Sequence, residues 1–277
     1  MRHTGEWQQM TSTMGTRAEP ANQVAIRHES QWVGPVEFVS SDPGRASAHV
    51  IAVALQRAGV HVHLANAYTV ALADRSAEYR DVLAEPALNF PDGKPIGWVS
   101  KIKQHSPQLE QVRGPQLFLD VFDEGRQLGI KHFLLGSTPE VLSQLTANLE
   151  RDFPGVDIVG VVSPPFRALT AAELASQDEQ IMASGAHIVW VGLGTPKQDI
   201  EAKRLATLLP VTAVAIGAAF DFAAGTLSEA PVWMRTAGLE WLHRFASEPR
   251  RLWRRYIFGN ARFLKAAFSV SRKESAN

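Results

Sequence analysis

The sequence predicts an α/β fold: a mostly parallel sheet with helices on both faces, a smaller N-terminal α/β portion and a helical C-terminal appendage. Three observations lead there. Short Val- and Ile-rich runs alternate with helical stretches of about ten to fifteen residues, the rhythm of strands joined by crossover helices. The runs are apolar on both alternating faces, as strands covered on two sides are. The last part of the chain abandons this rhythm for one long basic, amphipathic stretch.

Residues 1–45 hold scattered Gly, Pro, Ser and Thr without sustained periodicity, and read as a mobile extension with one strand near Val33–Val39. Residues 46–230 form the α/β core. Its first part predicts helix His49–Ala58, strand Val60–Ala65, helix Ala67–Ala84 and strand Ala87–Phe90, which ends at Pro91-Asp92-Gly93. Its second part predicts helix Pro115–Leu128, strand Lys131–Leu135, helix Pro139–Asp152 and strand Asp157–Val162. Helix Ala171–Ser184, strand His187–Val191, helix Pro196–Leu208 and strand Val211–Ile216 complete it. Right-handed crossovers bring the loops after these strands to one edge of the sheet, where ligands bind. Residues 231–277 form the helical appendage.

With 277 residues, 45% of them hydrophobic, the chain is long enough to bury a substantial core. It has no cysteine, which excludes disulfide scaffolds, cysteine zinc sites and thiol nucleophiles. No apolar run approaches the ~18 residues of a membrane-spanning helix. Met1–Pro20 is polar and lacks the apolar core of a secretory signal, so the expected location is cytoplasmic. The net charge of zero is unevenly spread: residues 231–277 carry ten Lys and Arg against three acids, and the rest of the chain is correspondingly acidic. A basic tail on an acidic body points to an anionic partner, be it a membrane surface, a phosphorylated ligand or nucleic acid. No nucleic-acid motif accompanies it, and binding to nucleic acid is not expected.

Each strand of the second half runs into a segment suited to a binding rim. Gly136-Ser137-Thr138-Pro139 opens a helix, Ser163-Pro164-Pro165-Phe166 forms a stiff corner, and Gly217-Ala218-Ala219-Phe220-Asp221 closes the set. Between them, Gly192-Leu193-Gly194-Thr195-Pro196-Lys197-Gln198-Asp199 offers small residues for close backbone approach, then Thr195 as N-cap and Pro196 at the first helical position. Free amides and helix N-termini converging on one space suit a phosphate or pyrophosphate. The third glycine of a dinucleotide fingerprint is absent, and there is no P-loop. Among acid–base candidates, Asp92 lies between two helix breakers and reads equally as a turn residue. His61 and His63 share one face of a strand, as a metal pair or as core histidines; no third ligand is evident. The chain contains no Asp-x-Asp pair of hard oxygen ligands, so no metal and no cofactor is expected. On a helical wheel over 251–268, Leu252, Trp253, Tyr256, Ile257, Phe263, Leu264, Ala267 and Phe268 face one way. Arg251, Arg254, Arg255, Arg262 and Lys265 face the other, a pattern open to membrane docking or to core packing.

These ordered segments resemble the WecG/TagA/CpsF glycosyltransferases of bacterial surface-polymer synthesis. The likeness runs from about His61 to Tyr256. It is carried by Asn66, Pro91-Asp92-Gly93, Leu134-Leu135-Gly136, Ser163-Pro164-Pro165-Phe166 and Gly192-Leu193-Gly194-x-Pro196-Lys197-Gln198, then by Gly238-Leu239-Glu240-Trp241-x-x-Arg244, Glu248-Pro249-Arg250-Arg251-Leu252 and Arg254-Arg255-Tyr256. The resemblance implies a Rossmann-like fold. It implies transfer of a ManNAc-type or uronic acid sugar from a UDP-sugar to a polyprenyl-diphosphate-linked saccharide, inverting and metal-independent. It further implies Asp92 as general base with Asn66 beside it, and a nucleotide side made by Asp221 and the Gly192–Gln198 loop, with Gly192, Gly194, Lys197 and Gln198; the rim segments add Gly136, Ser137 and Ser163 as substrate-binding candidates. The appendage would then bind an anionic membrane at its inner face and lend Arg244, Arg251, Arg254 and Arg255 to the site, and a homo-oligomer would accompany membrane binding. Two departures stand out: Leu64 where the family often has Thr, and Asp199 where it usually has Glu. A non-catalytic protein that binds a nucleotide-sugar or a lipid phosphate is the alternative from another class.

Overall fold

In the computed structural model the described residues are 28–247 and 249–269; for 244, 247 and 249–258 the backbone alone is described. The chain begins with β1 (Ser30–Val33), β2 (Val36–Val39), α1 (Pro43–Gln56), β3 (His61–Ala65), α2 (Ala67–Arg75), α3 (Ala77–Val82), β4 (Ala87–Pro91) and α4 (Lys94–Ile102). It continues through α5 (Gly114–Gly125), β5 (Lys131–Gly136), α6 (Pro139–Asp152), β6 (Asp157–Val162), α7 (Ala171–Ser184), β7 (Ile188–Gly192), α8 (Lys197–Leu208) and β8 (Thr212–Ala215). Four helices follow: α9 (Ala219–Ala223), α10 (Val232–Thr236), α11 (Glu240–Ser247) and α12 (Pro249–Phe268).

Six strands form one parallel sheet in the order β4-β3-β8-β7-β5-β6, flanked by helices, which is the predicted α/β class. From β3 the chain steps outward to β4, then crosses to build the other half, ending with β8 beside β3. That reversal opens a crevice at the carboxyl ends of the strands.

Three elements differ from the sequence expectation. Residues 67–84 form two helices rather than one, because Ser76 turns extended and its hydroxyl accepts from the Tyr79 amide at 3.2 Å, capping α3. The segment near 33–39 is an antiparallel hairpin rather than one strand. Gly34 turns it with φ +60°, and a Cβ there would stand 3.2 Å from the carbonyl oxygen of Ala266. The helix α4 was not expected at all.

The α12 helix closes against this hairpin. Phe263, Ala266 and Ala267 are buried in one cluster with Val33, Val36 and Phe38 of the hairpin and with Val70 and Ala71 of α2. Leu264 and Phe268 remain about half exposed, at 55% and 48%. The single apolar face drawn on the wheel therefore divides into a packed part and an open part. No helix among the described residues is long and apolar enough to cross a membrane.

Beneath the sheet, Trp190 is fully buried, edge-on to Phe118, and its indole N–H donates to His132 Nδ1 at 3.1 Å. Burial pushes the His132 pKa down to about 3, helped by His187. Burial does the same to His61, also to about 3, with His63 and Lys203 adding to it. Both rings are neutral in the fold, while the unfolded chain binds protons at them below about pH 6.5. The stability they contribute is thus present above pH 6.5 and falls as pH drops toward 3. Urea midpoints should decline across that window, and His61 or His132 imidazole signals of the folded protein that titrate near 6.5 would contradict it.

Candidate active site

The carboxyl edge of the sheet opens into a cleft of about 1730 Å³. A single small ligand usually occupies ~300–1,000 Å³, so this space suits two substrates. Asn66, Asp92, Ser137, Gly192, Gly194, Lys197, Gln198 and Asp221 all line it.

Asn66 and Asp92 come together because β3 and β4 pair in register, Ala65 opposite Pro91. The Asp92 amide donates to the Ala65 carbonyl at 2.9 Å, which clamps the two strand ends. Asn66 caps α2: its Oδ1 accepts from the amides of Tyr68 at 3.0 Å and Thr69 at 3.3 Å. With the oxygen committed, the side-chain N–H₂ is what Asn66 can offer a ligand. Behind Asp92, Gly93 has φ +94° and starts α4. Asp92 therefore follows directly on β4, and Gly93 holds the N-cap position of α4.

The glycine-rich rim is assembled by close approach of two strand ends. Gly136 has φ +131°, and a Cβ there would come within 2.5 Å of the Gly192 carbonyl oxygen. Gly136 is buried in the floor, so it contacts backbone rather than lining the cleft. Ser137, next to it, lines the cleft with φ +57°, a strained conformation for a residue with a side chain. Its amide donates to Gly192 O at 3.2 Å and its carbonyl accepts from Ser163 Oγ at 2.7 Å. Ser163 thus supports Ser137 from behind. Thr138 caps α6 as the sequence implied, accepting from Val141 N at 3.4 Å.

Thr195 does not cap the next helix, contrary to expectation. The α8 helix starts one residue later, with Pro196 at its N-cap and no side-chain cap hydrogen bond. Gln198, in the first turn, reaches back to the loop instead, its Oε1 accepting from the Gly194 amide at 2.9 Å. Lys197 stands exposed at the rim. Asp221 lies in the first turn of α9, and its carbonyl accepts from the amides of Thr226 and Leu227 at 3.0 and 3.1 Å.

Arg244 lies on α11, and Arg251, Arg254 and Arg255 on α12; their side chains fall outside the described ones. The appendage cations that do line the cleft are Arg262 and Lys265, beside Arg75 of α2. Arg262 is tied by its Nε to Asp74 at 2.8 Å. The wheel had put Arg262 and Lys265 on the polar side, so the signal existed, but it did not say which cations turn inward. On α2 the signal was plainer: Tyr68, Ala71, Leu72 and Arg75 all line the cleft, at the spacing of one helical face.

His61 and His63 are core residues, hydrogen-bonded to each other. Among the described residues, no group of three or more His, Asp or Glu is placed to hold a metal ion.

Compared with known families, residues 33–277 match the model described as the glycosyl transferase WecG/TagA/CpsF family. The match begins at the hairpin and includes α12, so the elements that pack together at the two ends of the fold fall inside it. The chain belongs to the WecG/TagA/CpsF family of glycosyltransferases, enzymes of surface-polysaccharide synthesis.

Proposed function

We propose that the cleft transfers a ManNAc-type or uronic acid sugar from a UDP-sugar to a polyprenyl-diphosphate-linked saccharide, with inversion and without a metal ion. One observation carries this reading: a single cleft at the strand ends is lined by the carboxylate-bearing Asp92, by the Gly192–Gln198 loop and by cations. Asp92 takes the proton of the acceptor hydroxyl while that oxygen attacks the anomeric carbon from the face opposite the diphosphate. The bond from that carbon to UDP breaks in the same step, which inverts the centre. General-base help of this kind contributes roughly 10²–10⁴-fold. Asn66, held by its cap, offers its amide N–H₂ to the sugar or the attacking hydroxyl.

UDP leaves with growing negative charge. Lys197, Arg262 and Lys265 line the cleft and supply positive charge, while the amides of the Gly192–Gln198 loop supply fixed donors. Arg244, Arg251, Arg254 and Arg255 would add to this from the appendage. Exposed Leu264 and Phe268, and the exposed Trp233 of α10 and Trp241 of α11, give the same appendage an apolar surface suited to an anionic lipid bilayer. The enzyme would then work as a peripheral protein at the inner face of the cell membrane, where a lipid-linked acceptor is presented; a homo-oligomer fits this reading.

The test is UDP release by the full chain with a panel of UDP-sugars and a short-chain lipid-diphosphate sugar. Release that requires both substrates is expected, and EDTA should leave it largely intact. Loss on chelation that Mg²⁺ or Mn²⁺ restores would remove the metal-free mechanism. Binding without turnover across the panel would favour a non-catalytic nucleotide-sugar or lipid-phosphate binding protein.

A further inference from the structure

Below the nucleotide side of the cleft runs a buried chain of four polar side chains that the transfer step does not use. His61 Nδ1 and His63 Nε2 are 2.8 Å apart. His63 Nδ1 is 3.0 Å from Asp199 Oδ1, and the Tyr79 hydroxyl donates to Asp199 Oδ2 at 2.9 Å. All four residues are buried; His63 is 0% and Asp199 3% exposed. The partners fix the tautomers. Asp199 accepts from His63 Nδ1–H, so His63 Nε2 accepts from His61 Nδ1–H, and His61 Nε2 is left as an acceptor without a partner among the described residues. The opposite assignment would strand a buried N–H, which is the costlier orphan.

Between His63 and Tyr79 the chain passes through a carboxylate in the first turn of α8, where the helix dipole favours negative charge. Asp199 turns inward to β3 and α3, while its neighbours Lys197 and Gln198 line the cleft. Gln198 in turn holds the Gly194 amide, so the orientation of this one turn decides where the loop's donors point. The other end of the chain, His61, is on β3, five residues before Asn66. A hydrogen-bonded carboxylate tolerates fewer orientations than an apolar side chain of similar size would, because a displaced one is left unpaired in the interior.

We propose that Tyr79, His63 and Asp199 are positioning residues: they lock the first turn of α8 against β3 and thereby set Lys197, Gln198 and the loop that Gln198 holds for a nucleoside diphosphate. This rests on the glycosyltransferase reading above. The experiment uses the full chain with UDP as the probe, measuring its Kd by calorimetry and backbone hydrogen exchange by mass spectrometry. Asp199→Asn puts a donor where the network needs an acceptor, and Tyr79→Phe removes one donation while keeping the ring. Each should weaken UDP binding by about tenfold, the scale of one hydrogen bond to a charged group. Exchange should quicken at residues 193–199 and stay parental at 139–152. Leu149→Ala, a buried truncation on α6 away from the network, should lower Tm with an unchanged Kd and unchanged exchange at 193–199.

If both network variants lose Tm as Leu149→Ala does but keep the parental Kd and local exchange, the chain is packing alone and the proposal is overturned. Weaker UDP binding without faster local exchange overturns it too, since the effect would not pass through the turn. A parental chain that fails to bind UDP sinks the glycosyltransferase reading instead. Local exchange then decides the positioning role by itself: quickening confined to 193–199 supports it, and none overturns it.

Discussion

Asp92→Asn should fold as the parent does and lose about two to four orders of magnitude in turnover. The fold is expected to survive because backbone hydrogen bonds hold the chain on both sides of this residue. The Asp92 amide bonds to the Ala65 carbonyl, the Val112 amide bonds to the Pro91 carbonyl at 2.7 Å, and Gly93 supplies the positive φ that starts α4. None of these depends on the carboxylate, and Asn matches its shape. The amide cannot accept the acceptor's proton, so the attacking oxygen stays a weak nucleophile while both substrates still bind. The expected pattern is therefore a fallen kcat with UDP binding close to parental. A well-folded Asp92→Asn protein that turns over near the parental rate would remove Asp92 as the base.

The second large effect is expected at the open part of α12. Leu264→Gln with Phe268→Gln should weaken partitioning onto anionic vesicles by about thirtyfold. Each side chain is about half exposed, so each has roughly half of the ~1.5–3 kcal/mol of full burial to lose, about 2 kcal/mol for the pair. Neither side chain belongs to the buried cluster, so Tm should barely move. Lys265→Gln separates charge from burial. A basic residue near an anionic leaflet contributes about 1 kcal/mol, and this one also lines the cleft, so vesicle binding and soluble-acceptor turnover should both fall. Deleting 253–277 would not separate these roles, because Phe263, Ala266 and Ala267 would leave the core with it. Full-length protein that ignores anionic vesicles at low salt would take the membrane out of the reading.

Much of the fold was legible because its strands are short, apolar and separated by periodic helices. From Pro139 to Ser184 the pattern gives the observed bounds of α6, β6 and α7, since each terminus carries its own punctuation, such as Thr138 and Thr170 at the N-caps. What stayed hidden was decided by distant contacts. The hairpin at 30–39 is covered in part by α12, which arrives from the far end of the chain, and nothing local marks it. The helix α4 follows Pro and Gly at a turn, and Gly97 interrupts its apolar period. The same holds at the site. Asp92 and Asn66 were legible as strand-end residues. The burial of Gly136 and Asp199 was not, because it depends on which strand lies alongside. Asp199, noted as a departure from the usual Glu, faces the interior rather than the ligand.

The closure of α12 over α2 has a consequence for how the molecule comes into being. Asp74 and Arg262, which meet as an ion pair, are 188 positions apart. At ~5–20 residues per second a ribosome needs roughly 10–40 s to add that span. During that time Val33, Phe38 and Val70 lack the cover of Phe263, Ala266 and Ala267, a sticky patch on a nascent chain that chaperones would be first to meet. The carboxylate at Asp92 emerges early, yet the cleft wall bearing Arg262 and Lys265 is synthesised almost last. Translation itself thus imposes a delay between the appearance of the reactive group and the completion of the pocket it serves.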